Sequence, residues 1–178
     1  MKAPLPLLQT PSGRVILKSE VEDDLVLILA IWENRTIGRL TGLFDSGPAH
    51  LQDVVVEDSM PIKRGLLDRL VGRTRARSFR GQGIGSKLLT EFLTICRSRG
   101  VTQVIGAVVQ RDIDATPGLL DWYARHGFQK RAPSESPLPE RYRPPNTVWE
   151  VVWKCHSPAS DYCTMSSSAN PGCSEIIQ

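Results

Sequence analysis

Long apolar runs are missing from this sequence. No window reaches the roughly 18 to 20 uncharged apolar residues that a membrane-spanning helix needs, and the nearest, Leu25 to Trp32, has the length of a strand. A soluble chain is expected. The start carries Lys2, but Pro4, Pro6 and Pro11 interrupt any apolar signal core, so secretion is not expected. Paired cysteine spacing is missing too. Cys96 sits in an apolar pattern while Cys155, Cys163 and Cys173 fall in a polar tail, which excludes a compact disulfide framework and fits a reducing cytoplasm best. With His156, the tail cysteines lack a C-x-x-C pair, so no metal is expected. A net charge of +3 is too small to demand nucleic acid. No internal repeat is present.

What is there is an ordinary globular composition, 40% hydrophobic and 23% charged, in a length of 178 residues that suits one domain. Residues 1–13 read as a proline-bearing leader, residues 14–154 as the domain, and residues 155–178 as a flexible tail rich in Ser, Pro, Asn and Gly. Arg14 to Lys18, Leu25 to Trp32, Thr36 to Phe44 and Leu51 to Val56 predict strands, with turns at Glu33 to Arg35 and Asp45 to Pro48. The first third is thus an antiparallel meander. Ile62, Leu66, Leu67, Leu70 and Val71 space a short helix over Pro61 to Gly72. A stronger helix carries Ile84, Leu88, Leu89, Phe92, Leu93 and Cys96, with Gly100 beyond its end. Val104 to Val109 predicts a strand, and a helix runs from Pro117 through Leu120 and Tyr123 toward Gly127. Phe128 to Lys130 and Val148 to Trp153 predict closing strands around an irregular loop, Pro133 to Pro145.

The chemistry concentrates at Arg80-Gly81-Gln82-Gly83-Ile84-Gly85-Ser86, which feeds directly into the strong helix. A helix start offers unpaired amides and the positive end of a dipole, and glycines let an anion approach the backbone. By itself such a glycine trio is equally an ordinary tight turn. The dinucleotide fingerprint needs other spacing, and Gly85-Ser86-Lys87 inverts the order of a Walker loop. Between Lys63 and Arg80, seven basic residues stand against one acid, Asp68, so Arg73, Arg75, Arg77 and Arg80 are available to offset phosphate charge.

Arg80, Gly83 and Gly85 resemble the pyrophosphate loop of the GNAT superfamily of N-acetyltransferases, and Leu119 to Phe128, with Trp122-Tyr123 and Gly127-Phe128, resembles its second signature. The resemblance implies an α/β (α+β) fold: one mixed, mostly antiparallel twisted sheet flanked by helices, with a cofactor cleft where the family's fourth and fifth strands splay apart. Here those strands are Leu51 to Val56 and Val104 to Val109. It implies acetyl-CoA as acyl donor, bound by Val54, Val55 and Val56 beside the thioester, by Arg80, Gly81, Gln82, Gly83, Ile84, Gly85 and Ser86 at the pyrophosphate, and by Thr116, where many members carry Asn. It implies Tyr123 as the acid that protonates the departing thiolate. Asp53 and Glu57 are candidate bases for the amine, with a solvated strand end and an ordered water as the other reading. His126, near a helix end, reads as structural.

The expected function is acetyl transfer to a primary amine of a small molecule or protein, by a cytoplasmic monomer or homodimer. The alternatives are a noncatalytic CoA-binding regulatory domain and, further back, a basic nucleic-acid-binding module. One departure stands out. The family usually places helices between its first two strands, and here Lys18 to Leu25 leaves only a short link, so Met60 to Arg77 and Pro133 to Pro145 are expected to form the acceptor wall.

Overall fold

The computed structural model describes residues 7–61, 76–135 and 143–155. Five strands form an antiparallel meander: β1 (Leu7–Thr10), β2 (Gly13–Glu22), β3 (Leu25–Trp32), β4 (Arg35–Phe44) and β5 (Ala49–Val56). A small hairpin, β6 (Ser59–Pro61) with β7 (Ala76–Ser78), precedes α1 (Ile84–Ser98). Then come β8 (Gln103–Val109), α2 (Gln110–Ala115), α3 (Leu119–Arg125), β9 (Gln129–Arg131) and β10 (Thr147–Lys154). The main sheet has eight strands in the order β1-β2-β3-β4-β5-β8-β10-β9, and β5–β8 is its single parallel pair. The mixed, mostly antiparallel sheet expected from the sequence is therefore present.

Turn chemistry sets the meander. Trp32 pairs with Arg35 across a two-residue turn in which Glu33 and Asn34 both take positive φ, the handedness that matches strand twist. Glu22 pairs with Leu25 around Asp23 and Asp24, so no helix intervenes between those strands, as the short link predicts. The sheet also begins earlier than expected. Leu7–Thr10, inside the segment read as a leader, pairs with β2 because Pro11 and Ser12 make a tight turn that Thr10 closes by donating its hydroxyl to the Gly13 carbonyl at 2.8 Å.

Hydrophobic burial joins α1 to the sheet. Leu88, Leu89, Phe92 and Cys96 are fully buried, and they share one core with Val26, Ile28, Ala30 and Leu40. Each such large side chain contributes about 1.5–3 kcal/mol. The approach is close: a Cβ at Gly42 on β4 would stand 2.4 Å from Phe92 Cε2. Beyond the core, the fully buried Glu150 carboxylate meets Arg131 at 2.9 Å and Arg143 at 3.4 Å, which ties the last two strands together.

Three expectations change. A short helix, α2, follows β8 directly where the sequence, lacking a helical period, predicts no element; α3 starts at Leu119, two residues after Pro117; and a 3-10 turn, Pro133–Glu135, interrupts the loop expected to be irregular. Pro61 lies in β6, while the rest of the helix expected over Pro61 to Gly72, with Arg73 and Arg75, lies outside the described residues. So does the tail beyond Cys155.

Gly42→Ala is expected to destabilise the fold by about 1–3 kcal/mol, because Phe92 must leave its rotamer to clear the new methyl. Thermal denaturation checks this, and an unchanged midpoint would mean that α1 rides further from β4.

Candidate active site

The parallel ladder between β5 and β8 pairs only Ala49, His50 and Leu51 with Val104, Ile105 and Gly106. Both strands run on, to Val56 and Val109, so they part and leave a gap. Two cavities meet there. The first, about 450 Å³, is lined by Val54 and Val56, by Arg80, Gly81 and Gly83 to Ser86, by Thr116 to Leu119, and by Trp122 and Tyr123. The second, about 350 Å³, opens beside Gln52, Asp53, Val55, Ala107, Arg111 and Asp112. Val54, Val56, Arg80, Thr116, Leu119 and Tyr123 line both.

At the far end of the first cavity α1 begins without a side-chain cap. Gly83 takes the cap position at φ 78°, a left-handed conformation that costs other residues. The first intrahelical bond runs from the Lys87 amide to the Gly83 carbonyl at 3.0 Å, so the amides of Ile84, Gly85 and Ser86 precede it. No acid occupies the first turn. Those amides and the helix dipole suit an anion such as a pyrophosphate.

Arg80 lies at this cavity half exposed, its Nε 2.7 Å from Asp58 Oδ1. An exposed pair of this kind is worth little, so a phosphate competes readily for the guanidinium. Gln82, expected beside the phosphate, turns its side chain the other way. Its Nε2 donates to Ser12 Oγ at 2.7 Å and to the Ser78 carbonyl, and its Oε1 accepts from the Ser12 amide at 3.3 Å. Trp32 Nε1 fixes Ser12 in turn by donating to its carbonyl at 2.9 Å. The loop is thereby clamped to the β1–β2 turn. Arg77, expected to offset phosphate charge, instead donates to the Pro11 carbonyl at 3.3 Å and lies over the Trp32 ring.

At the gap, Trp122 Nε1 donates to Ser86 Oγ at 3.0 Å, linking α3 to the first turn of α1. Tyr123 packs against Trp122 and Phe128, with ring centroids 4.8 and 5.4 Å apart. Tyr123 is partly buried and lines both cavities; desolvation first, then the Asp112 and Asp53 charges, push its pKa well above the usual phenol value. Tyr123 therefore stays a hydroxyl donor throughout the neutral range. His126 Nδ1 donates to the Trp122 carbonyl at 2.8 Å at the helix end, as a structural histidine does.

The candidate bases separate. Asp53 lines the second cavity and holds Arg39 at 3.1 Å, whereas Glu57 is exposed and lines neither cavity, its amide donating to the Ile37 carbonyl at 2.9 Å. Strand alternation would put Asp53 and Glu57 on one face, but the strand ends at Val56, before Glu57. Asp112 escaped the sequence reading. The signal was the charged run Arg111-Asp112-Ile113-Asp114 straight after a strand that borders the gap. Among the described residues, no group of three or more His, Cys, Asp or Glu is placed to hold a metal, and no helix is long and apolar enough to cross a membrane.

Comparison with known proteins follows this geometry. The search of curated proteins gave no match. Solved structures share the fold. A GNAT-family acetyltransferase from Staphylococcus aureus is 16% identical over 74% of this chain and 69% of its own, with a TM-score of 0.53. An acetyltransferase from Streptococcus agalactiae is 14% identical over 75% and 68%, also at 0.53. The PaiA N-acetyltransferase from Thermoplasma acidophilum, crystallised with coenzyme A, is 14% identical over 74% of this chain at 0.50, and the match spans 62% of its length. The profile of the acetyltransferase (GNAT) family matches residues 4–128, well over half the sequence, and the chain belongs to that family.

Proposed function

We propose that this protein transfers an acetyl group from acetyl-CoA directly to a primary amine of a small molecule or protein. One observation carries the reading: a continuous cavity runs from the uncapped amides of α1 to the gap between β5 and β8, and Tyr123 stands at the gap between that cavity and a second one. The donor lies along the first cavity and the acceptor enters through the second.

In this reading the amides of Ile84, Gly85 and Ser86 hold the pyrophosphate, and Arg80 exchanges Asp58 for a phosphate oxygen. The backbone of Val54 and Val56 borders the pantetheine arm as it passes between the parted strands, with Thr116 opposite. Asp53 takes the first proton from the incoming ammonium. The freed amine attacks the thioester carbon, and collapse of the tetrahedral adduct breaks the carbon–sulfur bond. Tyr123 gives its proton to the departing thiolate and regains one from the new amide nitrogen. Holding the two substrates in one cleft supplies much of the rate. Glu57 has no part, since it lines neither cavity.

Isothermal titration calorimetry tests the donor site. Acetyl-CoA is expected to bind the native protein in the micromolar range, and Gly83→Glu to lose at least about tenfold, since its carboxylate faces the phosphates. Gly83→Asn, which tolerates positive φ better, controls for folding. If the native protein binds no acetyl-CoA, the transferase reading and a CoA-sensing alternative both fall.

Gln82→Ala removes bonds worth about 1–2 kcal/mol together. It is expected to weaken acetyl-CoA binding roughly fivefold to thirtyfold while leaving the acceptor KM unchanged. Equal loss on both substrates would mean general unfolding instead.

Tyr123→Phe is expected to lower kcat about 10²- to 10⁴-fold with the acetyl-CoA Kd nearly constant. Steady-state kinetics with calorimetry check this, and a kcat within a factor of two or so of the native value would assign the proton to water.

A further inference from the structure

The two helices that meet at the gap are joined by a bond that the reaction above does not use. Trp122 Nε1 donates to Ser86 Oγ at 3.0 Å, between residues 36 apart in sequence, and among the described residues it is the one hydrogen bond between α1 and α3. The indole lies close on the first turn of α1: a Cβ at Gly85 would stand 3.7 Å from Trp122 Cζ2 and 3.7 Å from Val56 Cγ2, both ordinary contact distances. The same indole meets the Tyr123 ring edge-on, at 4.8 Å and 67°, and the His126 ring at 4.8 Å.

By itself α3 is weakly held. It has seven residues, fewer than a helix needs to persist alone in water, starts behind Gly118 at φ 79° without a side-chain cap, and buries none of its residues fully. Its setting against α1 therefore depends on contacts such as the Trp122 bond. The direction of that bond is fixed by chemistry. An indole N–H only donates, so Ser86 Oγ accepts, and the hydroxyl proton of Ser86 is left for another acceptor. Ser86 and Trp122 both line the donor cavity. A phosphate oxygen that takes the Ser86 proton makes Oγ a stronger acceptor for the indole, because hydrogen bonds in a chain polarise one another and a bond to an anion is stronger than one between neutral groups.

We infer that Trp122 is a positioning residue: through Ser86 it makes the setting of α3, and with it that of Tyr123, depend on whether the pyrophosphate site is filled. With the site empty, α3 rests on a neutral bond; with a phosphate on Ser86, that bond tightens and the tyrosine beside the indole is steadied. The nucleotide end of the donor then contributes to kcat as well as to affinity, as binding energy from a remote part of a substrate can.

This inference rests on the transferase reading, and the test separates the two. The probe is adenosine 3′-phosphate 5′-diphosphate, the nucleotide end of coenzyme A, which carries the pyrophosphate and lacks the pantetheine arm that would touch Tyr123 directly. The protein is labelled with 3-fluorotyrosine, the Tyr123 resonance is identified in the fluorine NMR spectrum by its loss in Tyr123→Phe, and calorimetry follows binding of the probe and of acetyl-CoA. In the native protein the probe is expected to bind and to move or sharpen the Tyr123 resonance. Trp122→Phe keeps an aromatic ring and drops the N–H; it is expected to bind the probe within about tenfold of the native affinity and to lose the response of Tyr123. Ser86→Ala breaks the same bond from its other end and is expected to lose the response as well, whereas Ser86→Thr, which keeps the hydroxyl, retains it; should Trp122→Phe not fold, the two Ser86 variants decide. A merely structural role for Trp122 would lower the melting temperature of Trp122→Phe and leave the response intact. A response that persists in Trp122→Phe or in Ser86→Ala, a native Tyr123 resonance that ignores the bound probe, or acetyl-CoA binding without binding of the nucleotide end would each overturn the coupling while the transferase reading stands. Native protein that binds no acetyl-CoA would overturn the transferase reading itself.

Discussion

Three residue pairs of parallel ladder, and no more, join β5 to β8. That short pairing is the constraint on which the rest of the structure turns. Had the two strands stayed paired to their ends, the sheet would be continuous, and the start of α1 would look onto closed backbone. Because they part after Leu51, backbone groups of β5 are left without a neighbour across the gap, and such groups need a hydrogen-bonding partner when buried. A pantetheine arm, with amides of its own, is a partner of the required kind. The gap, the open helix start and the tyrosine between the two cavities are consequences of the same interrupted ladder.

The interruption is tolerable because the core does not depend on it. Leu88, Leu89 and Phe92 pack onto β3 and β4, on the meander side, and Gly42 admits the Phe92 ring where any side chain would hold the helix off. Rigid packing there fixes the origin of α1, and with it the direction of the exposed amides. On the other side, Glu150 with Arg131 and Arg143 holds β10 to β9, away from the gap. Removing one partner of such a buried charge set costs more than the set contributes, so it acts as a constraint on geometry more than as a source of stability.

Much of this was legible in the sequence. The β3 strand, Leu25–Trp32, was readable residue for residue from its apolar run and flanking turns, and α1 from six apolar positions at helical spacing behind a glycine loop. The loop at the start of α1 was legible from glycines that run straight into a strongly periodic helix, together with the resemblance carried by Arg80, Gly83 and Gly85; the glycines alone fit an ordinary turn equally well. What was not legible depends on long-range contact. The β1 strand is four residues long and hidden between Pro6 and Pro11, and it is identified only by its pairing with β2. Gln82 belongs to the motif by position, yet its partner is Ser12, which no local pattern reveals. The six residues of α2, mostly polar, lack any period, so only their place straight after β8 linked Asp112 to the gap. Glu57 lies one residue past the end of β5, where the alternation of a strand no longer assigns a side chain to a face.

The clamp between Gln82 and Ser12 joins residues 70 apart in sequence. A contact of that span forms only after the intervening chain has found its topology, because closing so long a loop is entropically unfavourable until the strands between have paired. That clamp is thus expected among the last contacts to form. Any ligand that prefers the shaped loop therefore stabilises the order of the meander by mass action, and under the proposed function the β1–β2 hairpin acts on donor affinity from a part of the molecule that lines neither cavity.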